Sequence, residues 1–238
     1  MSMQESCLAK GIKHCGFHVC VLGCIGAGKT SLCKALQRVI IEKEGRCEGL
    51  WEPVETNPLL PLYCRDNKRY AFPMQVYMLN KRLEQQRLAQ DLALSGVSCV
   101  QDSSLFGDSC FVEMLSKEGI LCPEEVDTYS ELFANMTRDV MYPSLVVYLD
   151  CPVDVAKKRI EKRGRDYEIG ESGYSEYYLS NLKMELDTLV RDFAKYTFVK
   201  EINASVDLDD EGIYNEARMI YDELCLMRNS PVLSRMGV

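Results

Sequence analysis

The run Gly23-Cys24-Ile25-Gly26-Ala27-Gly28-Lys29-Thr30 sets four residues between two glycines and follows the second with Lys-Thr. The apolar stretch Phe17-His18-Val19-Cys20-Val21-Leu22 leads into it. This pattern constrains the chain to feed a strand into a tight loop and then a helix. The glycines let backbone N–H groups approach phosphate oxygens, Lys29 neutralises charge, and Thr30 offers a hydroxyl to a magnesium ion. Beyond Ser31, the residues Leu32, Leu36, Val39 and Ile40 recur at helical spacing, so a helix N-terminus adds its partial positive charge. The segment predicts a cradle for a nucleoside triphosphate.

At 238 residues the chain can bury a substantial core, and no Pro/Gly/Ser-rich linker, internal repeat or low-complexity tract divides it. One domain is the simplest expectation, with a short N-terminal extension over 1–16 and a tail over 227–238. The net charge of -8 disfavours a general binder of nucleic acid or anionic membrane, which needs a basic face. An anionic ligand must then meet a local cluster of cations. No stretch reaches the apolar length of a membrane span, and no signal-peptide core opens the chain, so the cytoplasm is expected. Twelve cysteines without a two-residue gap between any pair read as reduced, buried small hydrophobes.

Apolar runs at 17–22, 97–101, 145–149 and 197–202, with a weaker one at 47–51, read as strands separated by helical patterns. That order predicts an α/β doubly wound fold, a parallel sheet covered on both faces. Ligands of such sheets sit at the carboxyl ends of the strands, which selects the phosphate loop, Glu52, Asp102 and Asp150 by position. A helix is expected over about 68–94, with the apolar stripe Phe72, Val76, Leu79 and Leu83. Gln75 and Arg82, nearly two turns apart, share a face of it. A second helix over about 174–196 carries Leu179, Leu182, Leu186, Leu189 and Phe193 at alternating three and four spacing, the pattern of a core face or a dimer seam. Asp150, followed by Cys151-Pro152, is expected to cap the helix that begins near Val153.

Glu52-Pro53-Val54-Glu55 with Asn57-Pro58 resembles the signature of the deoxynucleoside kinases, particularly the bacterial deoxyadenosine and deoxyguanosine kinases. The segments Arg69-Tyr70-Ala71-Phe72-Pro73-Met74-Gln75, Asp102-Ser103-Ser104-Leu105-Phe106-Gly107-Asp108 and Arg159 to Glu168 agree in the same order, over roughly residues 17–205. The resemblance implies a P-loop kinase fold, with five parallel strands, flanking helices and a short arginine-rich lid at about 162–172. It implies transfer of the γ-phosphate of ATP, with Mg2+, to the 5′-hydroxyl of a deoxynucleoside, by a homodimer. Glu52 would be the base that accepts the hydroxyl proton. Arg163 and Arg165 would stabilise charge in the transition state, Arg159 would hold the donor phosphates or stack near the donor's base, and Thr30 with Asp102 would serve the metal. Glu168 would accept the sugar 3′-hydroxyl. Its usual tyrosine partner aligns with Cys64, one residue from Tyr63. Gln75, Arg82 and Asp108 would read the base of deoxyadenosine, deoxyguanosine or deoxycytidine, and Phe111 would stack on it.

One position departs from the pattern. Family members carry arginine between the aspartate and the serine after the third strand, where this chain has Ser103. Ser103 cannot replace a planar cation. A compensating cation such as Arg65, Lys68 or Arg69, a slow enzyme, or a deliberate substitution would each account for it. Two rival functions stand beside the kinase: a deoxynucleoside monophosphate kinase of the thymidylate kinase type, and a nucleotide-binding protein with impaired catalysis.

Overall fold

The computed structural model describes residues 15–52, 56–168 and 173–228; the N-terminal extension up to residue 14, Pro53-Val54-Glu55, the lid residues 169–172 and the tail from 229 lie outside the described residues. Five strands, β1 (His18–Gly23), β2 (Cys47–Leu50), β3 (Ser98–Asp102), β4 (Leu145–Asp150) and β5 (Phe198–Asn203), form one sheet in the order β2-β3-β1-β4-β5. Every pairing is parallel, with Val19 opposite both Val100 and Leu145 and with Tyr148 opposite Glu201. All five strands therefore end on the same edge.

Parallel neighbours need crossovers, and helices supply them. In chain order these are α1 (Lys29–Glu44), α2 (Leu60–Arg65), α3 (Asn67–Leu94), α4 (Asp108–Lys117), α5 (Pro123–Thr137), α6 (Val153–Arg163), α7 (Glu176–Phe193) and α8 (Asp210–Arg228), with a 3-10 turn at Asp166–Glu168. Alternation along β1 and β4 divides the core. Cys20, Leu22, Val146 and Tyr148 face α3, α4, α5 and α7. Val19, Val21, Leu145, Val147 and Leu149 face α1 and α8. Both faces of the central strands are apolar because both are covered.

The leucine stripe of α7 belongs to the core. Leu179, Leu182, Leu186 and Phe193 are buried against the chain's own first cluster, with Leu189 half-buried beside them, and α7 packs on α4. Two expectations need correction. Asp150 does not cap α6, whose N-cap is Pro152 without a side-chain bond; it pairs instead with Lys183 of α7 at 2.7 Å. The buried face of α3 is also rotated from the expected stripe: Met74, Gln75, Met78 and Arg82 are buried with Leu79 and Leu83, whereas Phe72 and Val76 are half-buried. Part of that face looks into a cleft, so polar residues occupy it and blur the apolar period.

His18 is buried in β1, with Nε2 2.8 Å from Gln101 Oε1. Burial lowers its pKa from 6.5 to about 4, the Gln101 hydrogen bond opposing only weakly. The unfolded chain therefore binds this proton more readily than the folded one, so the contribution is fully present above pH 6.5 and is lost as pH falls towards 4. His18→Gln should flatten the pH dependence of urea-derived stability across that window by roughly 3 kcal/mol. Parallel wild-type and variant curves would remove His18 as the cause.

Candidate active site

The loop between β1 and α1 is held open by its glycines. Gly26 has φ +83°, and a Cβ there would lie 2.4 Å from the Ala156 carbonyl oxygen of α6. Gly28 has φ +98° and N-caps α1, with open space where its Cβ would project. Residue 26 thus needs glycine for conformation and close approach, residue 28 for conformation alone. Lys29 arches over the loop and donates to the carbonyls of Gly23 and Cys24 at 3.0 and 3.1 Å. Cys24 is buried, and burial pushes its thiol up to about 11, so it acts as packing within the loop.

Two clefts open at the carboxyl edge of the sheet. The first, of about 550 Å³, is lined by Glu52, Tyr63, Gln75, Arg82, Asp102, Phe111 and Glu168 among others. The second, of about 570 Å³, runs from Gly26–Leu32 past Arg159 and Lys162 to the segment Asn203–Leu208. Gly26, Lys29, Thr30, Arg163 and Arg165 line both. A group passing from one cleft to the other would cross between the loop lysine and the two arginines.

Thr30 Oγ1 donates to Asp102 Oδ2, while Asp102 Oδ1 is buried and has no partner among the described residues. Burial pushes the Asp102 carboxyl up, against the pull of Lys29 and Thr30. A hydroxyl and an under-satisfied carboxylate at the end of a strand suit a small hard cation that keeps most of its water. No group of three or more His, Cys, Asp or Glu side chains able to hold a metal occurs among the described residues, so a cation here would depend on further oxygens from a ligand.

On the acceptor side, Arg82 donates through one terminal nitrogen to Asp108 and through the other to Glu52. Asp108 also accepts from the Tyr129 hydroxyl at 2.6 Å, and the Arg82 guanidinium lies 5.5 Å from the Phe111 ring centroid. Gln75 is buried on the same face of α3. Glu168 accepts from Arg163 Nε at 3.0 Å and from Arg165 at 3.3 Å, gathering both arginines on one carboxylate. Tyr63 meets Tyr178 at 3.2 Å between hydroxyls, and Cys64 approaches the Tyr174 hydroxyl at 3.9 Å. Burial pushes the Tyr63 phenol up to about 12, so it stays protonated. Phe111 and Tyr63 both line the first cleft.

Arg159 lines the second cleft with the phosphate loop. It donates to Asp207 at 2.7 Å, to the Val206 carbonyl at 3.1 Å and to the Ala27 carbonyl at 3.2 Å, stitching the loop to the segment after β5. It is a wall of the second cleft. The cations suggested as compensation for Ser103 are displaced: Arg65, Lys68 and Arg69 are exposed and line neither cleft. Sequence reasoning missed Met74, Met78, Tyr174 and Tyr178 in the first cleft and Asn203–Leu208 in the second. The strand-end rule could have found the latter, since they follow β5. Nothing local marks the former, which are apolar or aromatic positions on α3 and α7 and, for Tyr174, just before α7.

The profile of the deoxynucleoside kinase family matches residues 19–221. The chain is similar to a deoxyadenosine kinase of Dictyostelium discoideum, with 32% identity over 212 residues covering 89% of this chain and 82% of that one. It is similar to a deoxyguanosine kinase of Lactobacillus johnsonii, with 40% identity over 151 residues covering 61% and 63% of the two chains. Among solved structures, a deoxyadenosine kinase from M. mycoides with bound dATP superposes with a TM-score of 0.71 at 26% identity, covering 88% of this chain and 99% of that one.

The loop geometry makes a paired prediction. Gly28→Ala should cost about 1–2 kcal/mol through left-handed strain alone. Gly26→Ala should cost about 2–4 kcal/mol, because contact with the Ala156 backbone is added. Equal losses in urea titrations would show that the close approach does not fix residue 26.

Proposed function

Because this chain belongs to the deoxynucleoside kinase family and so phosphorylates deoxynucleosides, we propose that it transfers the γ-phosphate of ATP to the 5′-hydroxyl of a purine deoxynucleoside, with deoxycytidine next in order. The observation that carries this reading is the meeting of two clefts at Lys29, Thr30, Arg163 and Arg165, with a carboxylate, Glu52, on the acceptor side. Glu52 accepts the hydroxyl proton as the oxygen attacks. Lys29 and the N–H groups of the loop hold the donor phosphates, and Arg163 and Arg165 offset the charge that develops between the clefts. Thr30 and Asp102 hold Mg2+, which when bound neutralises donor phosphate oxygens.

Glu168 orients the sugar through its 3′-hydroxyl, next to Tyr63 and Tyr174. Gln75 and the Arg82–Asp108 pair read the base, with Phe111 against its face. Charged hydrogen-bonding partners left unmatched by a wrong base make discrimination steep. The names of the relatives, deoxyadenosine and deoxyguanosine kinases, support the purine preference. A monophosphate acceptor fits less well, since Glu52, Asp102 and Glu168 line the acceptor cleft and Arg82 is committed to two carboxylates. The proposal extends to a cytoplasmic homodimer with no nucleic-acid or membrane partner; among the described residues no helix is long and apolar enough to cross a membrane.

Product formation from MgATP with the four deoxynucleosides, and in parallel with their monophosphates, tests this directly. The expected outcome is monophosphate from deoxyadenosine or deoxyguanosine, less from deoxycytidine, and little from thymidine. Turnover of monophosphates alone would overturn it, and nucleotide binding without product would favour an impaired enzyme. Glu52→Gln should lower kcat about 10²- to 10⁴-fold while calorimetric ATP affinity stays within about threefold.

A further inference from the structure

Glu52 leaves the sheet on a segment without regular structure, so its carboxylate is aimed by what it touches. Among the described residues its side-chain partner is Arg82, on α3. Arg82 is itself fixed. Its other terminal nitrogen is on the fully buried Asp108, which Tyr129 holds from the far side at 2.6 Å, and Phe111 lies along the guanidinium. Its Nε is buried and has no acceptor among the described residues, so the fork binds two carboxylates and keeps a donor in reserve. At the turn after β3, Ser103 has φ 74° and brings a hydroxyl rather than a charge, and no other cation contacts Glu52 among the described residues.

We propose that Arg82 is the positioning residue for Glu52 in phosphoryl transfer, so that the guanidinium that faces the base pocket through Asp108 also fixes the carboxylate that takes the hydroxyl proton. This rests on the base role given to Glu52 above. A guanidinium can do this because its planar fork presents two separated N–H edges in fixed geometry, whereas an ammonium is a point charge that must choose one partner. Recognition of the base and acceptance of the proton then share one rigid group. A small displacement of that group misaligns the carboxylate against the attacking hydroxyl, so damage to Arg82 reaches kcat as well as KM.

The test is a cycle of Arg82→Lys, Glu52→Gln and the double variant, with kcat and KM measured for deoxyadenosine and deoxyguanosine. Arg82→Lys should lower kcat about 10- to 100-fold in the wild-type background and less than about threefold in the Glu52→Gln background, because a residue that acts through Glu52 has nothing left to position. A rise in KM with kcat unchanged, or kcat losses that multiply in the double variant, would overturn the proposal and leave Arg82 as a base-reading residue only. If Glu52→Gln alone leaves kcat intact, the base role of Glu52 fails, and this inference with it. Should Arg82→Lys fail to fold by thermal melting, the same cycle with Asp108→Asn, which loosens the guanidinium without removing it, must show the same loss of additivity; additive effects there would equally sink the idea.

Discussion

A guanidinium buried beside the central sheet is the constraint around which the acceptor side is organised. An unpaired charge there would be untenable, and removing one partner of such a pair typically costs about 3–5 kcal/mol. Arg82 is 4% exposed, so the chain must bring carboxylates to it. Asp108 comes from the first turn of α4, Glu52 from the exit of β2, and the Tyr129 hydroxyl from α5. Arg82 thus ties α3 to the start of its own β2–β3 connection through Glu52 and to the β3–β4 connection through Asp108, which Tyr129 of the same connection holds in turn. Such a network adds little net stability over an apolar replacement, whereas losing one of its partners leaves a buried charge uncompensated.

The donor side follows a different logic. Here backbone geometry does the work: a left-handed Gly26 packed against the Ala156 carbonyl, Lys29 folded over loop carbonyls, and the N-terminus of α1 behind them. Arg159 ties this loop to Val206 and Asp207, so the wall of the second cleft is braced against the loop. The chain carries a net charge of -8, yet Lys29, Arg163 and Arg165 gather where the clefts adjoin, with Lys162 on the second cleft beside them. Local concentration of cations on an acidic protein draws phosphate to one place and discourages extended polyanions elsewhere. Glu168 holds Arg163 and Arg165 together, which keeps like charges near one another at a tolerable cost.

Much of this was legible before folding. The five apolar runs predicted the strands to within a residue or two; the central strands β1 and β4 are apolar because they are buried on both faces, while the edge strands β2 and β5 carry polar residues and are only partly buried. The phosphate loop was legible because its chemistry dictates residue types at fixed spacing. Gln75 and Arg82 could be set on one face of α3 by helical geometry alone. The buried face of that helix could not be read correctly, since a cleft-facing surface mixes Met74 and Met78 with polar residues and weakens the period. Asp150 illustrates the opposite failure: its sequence context fits a cap, but Lys183, on another helix, takes it first.

By itself the sequence determined the α/β order, the nucleotide loop and the set of charged residues available to the clefts, because these depend on local spacing and on residue chemistry. Only the tertiary structure decided which charges meet. That Arg82 joins Glu52 to Asp108, that Arg65, Lys68 and Arg69 remain at the surface, and that Arg159 braces a wall are all outcomes of long-range packing. Burial sets that choice: a charge enclosed by apolar helices takes the nearest partner the fold presents, and the distance along the chain carries no information about which one that is.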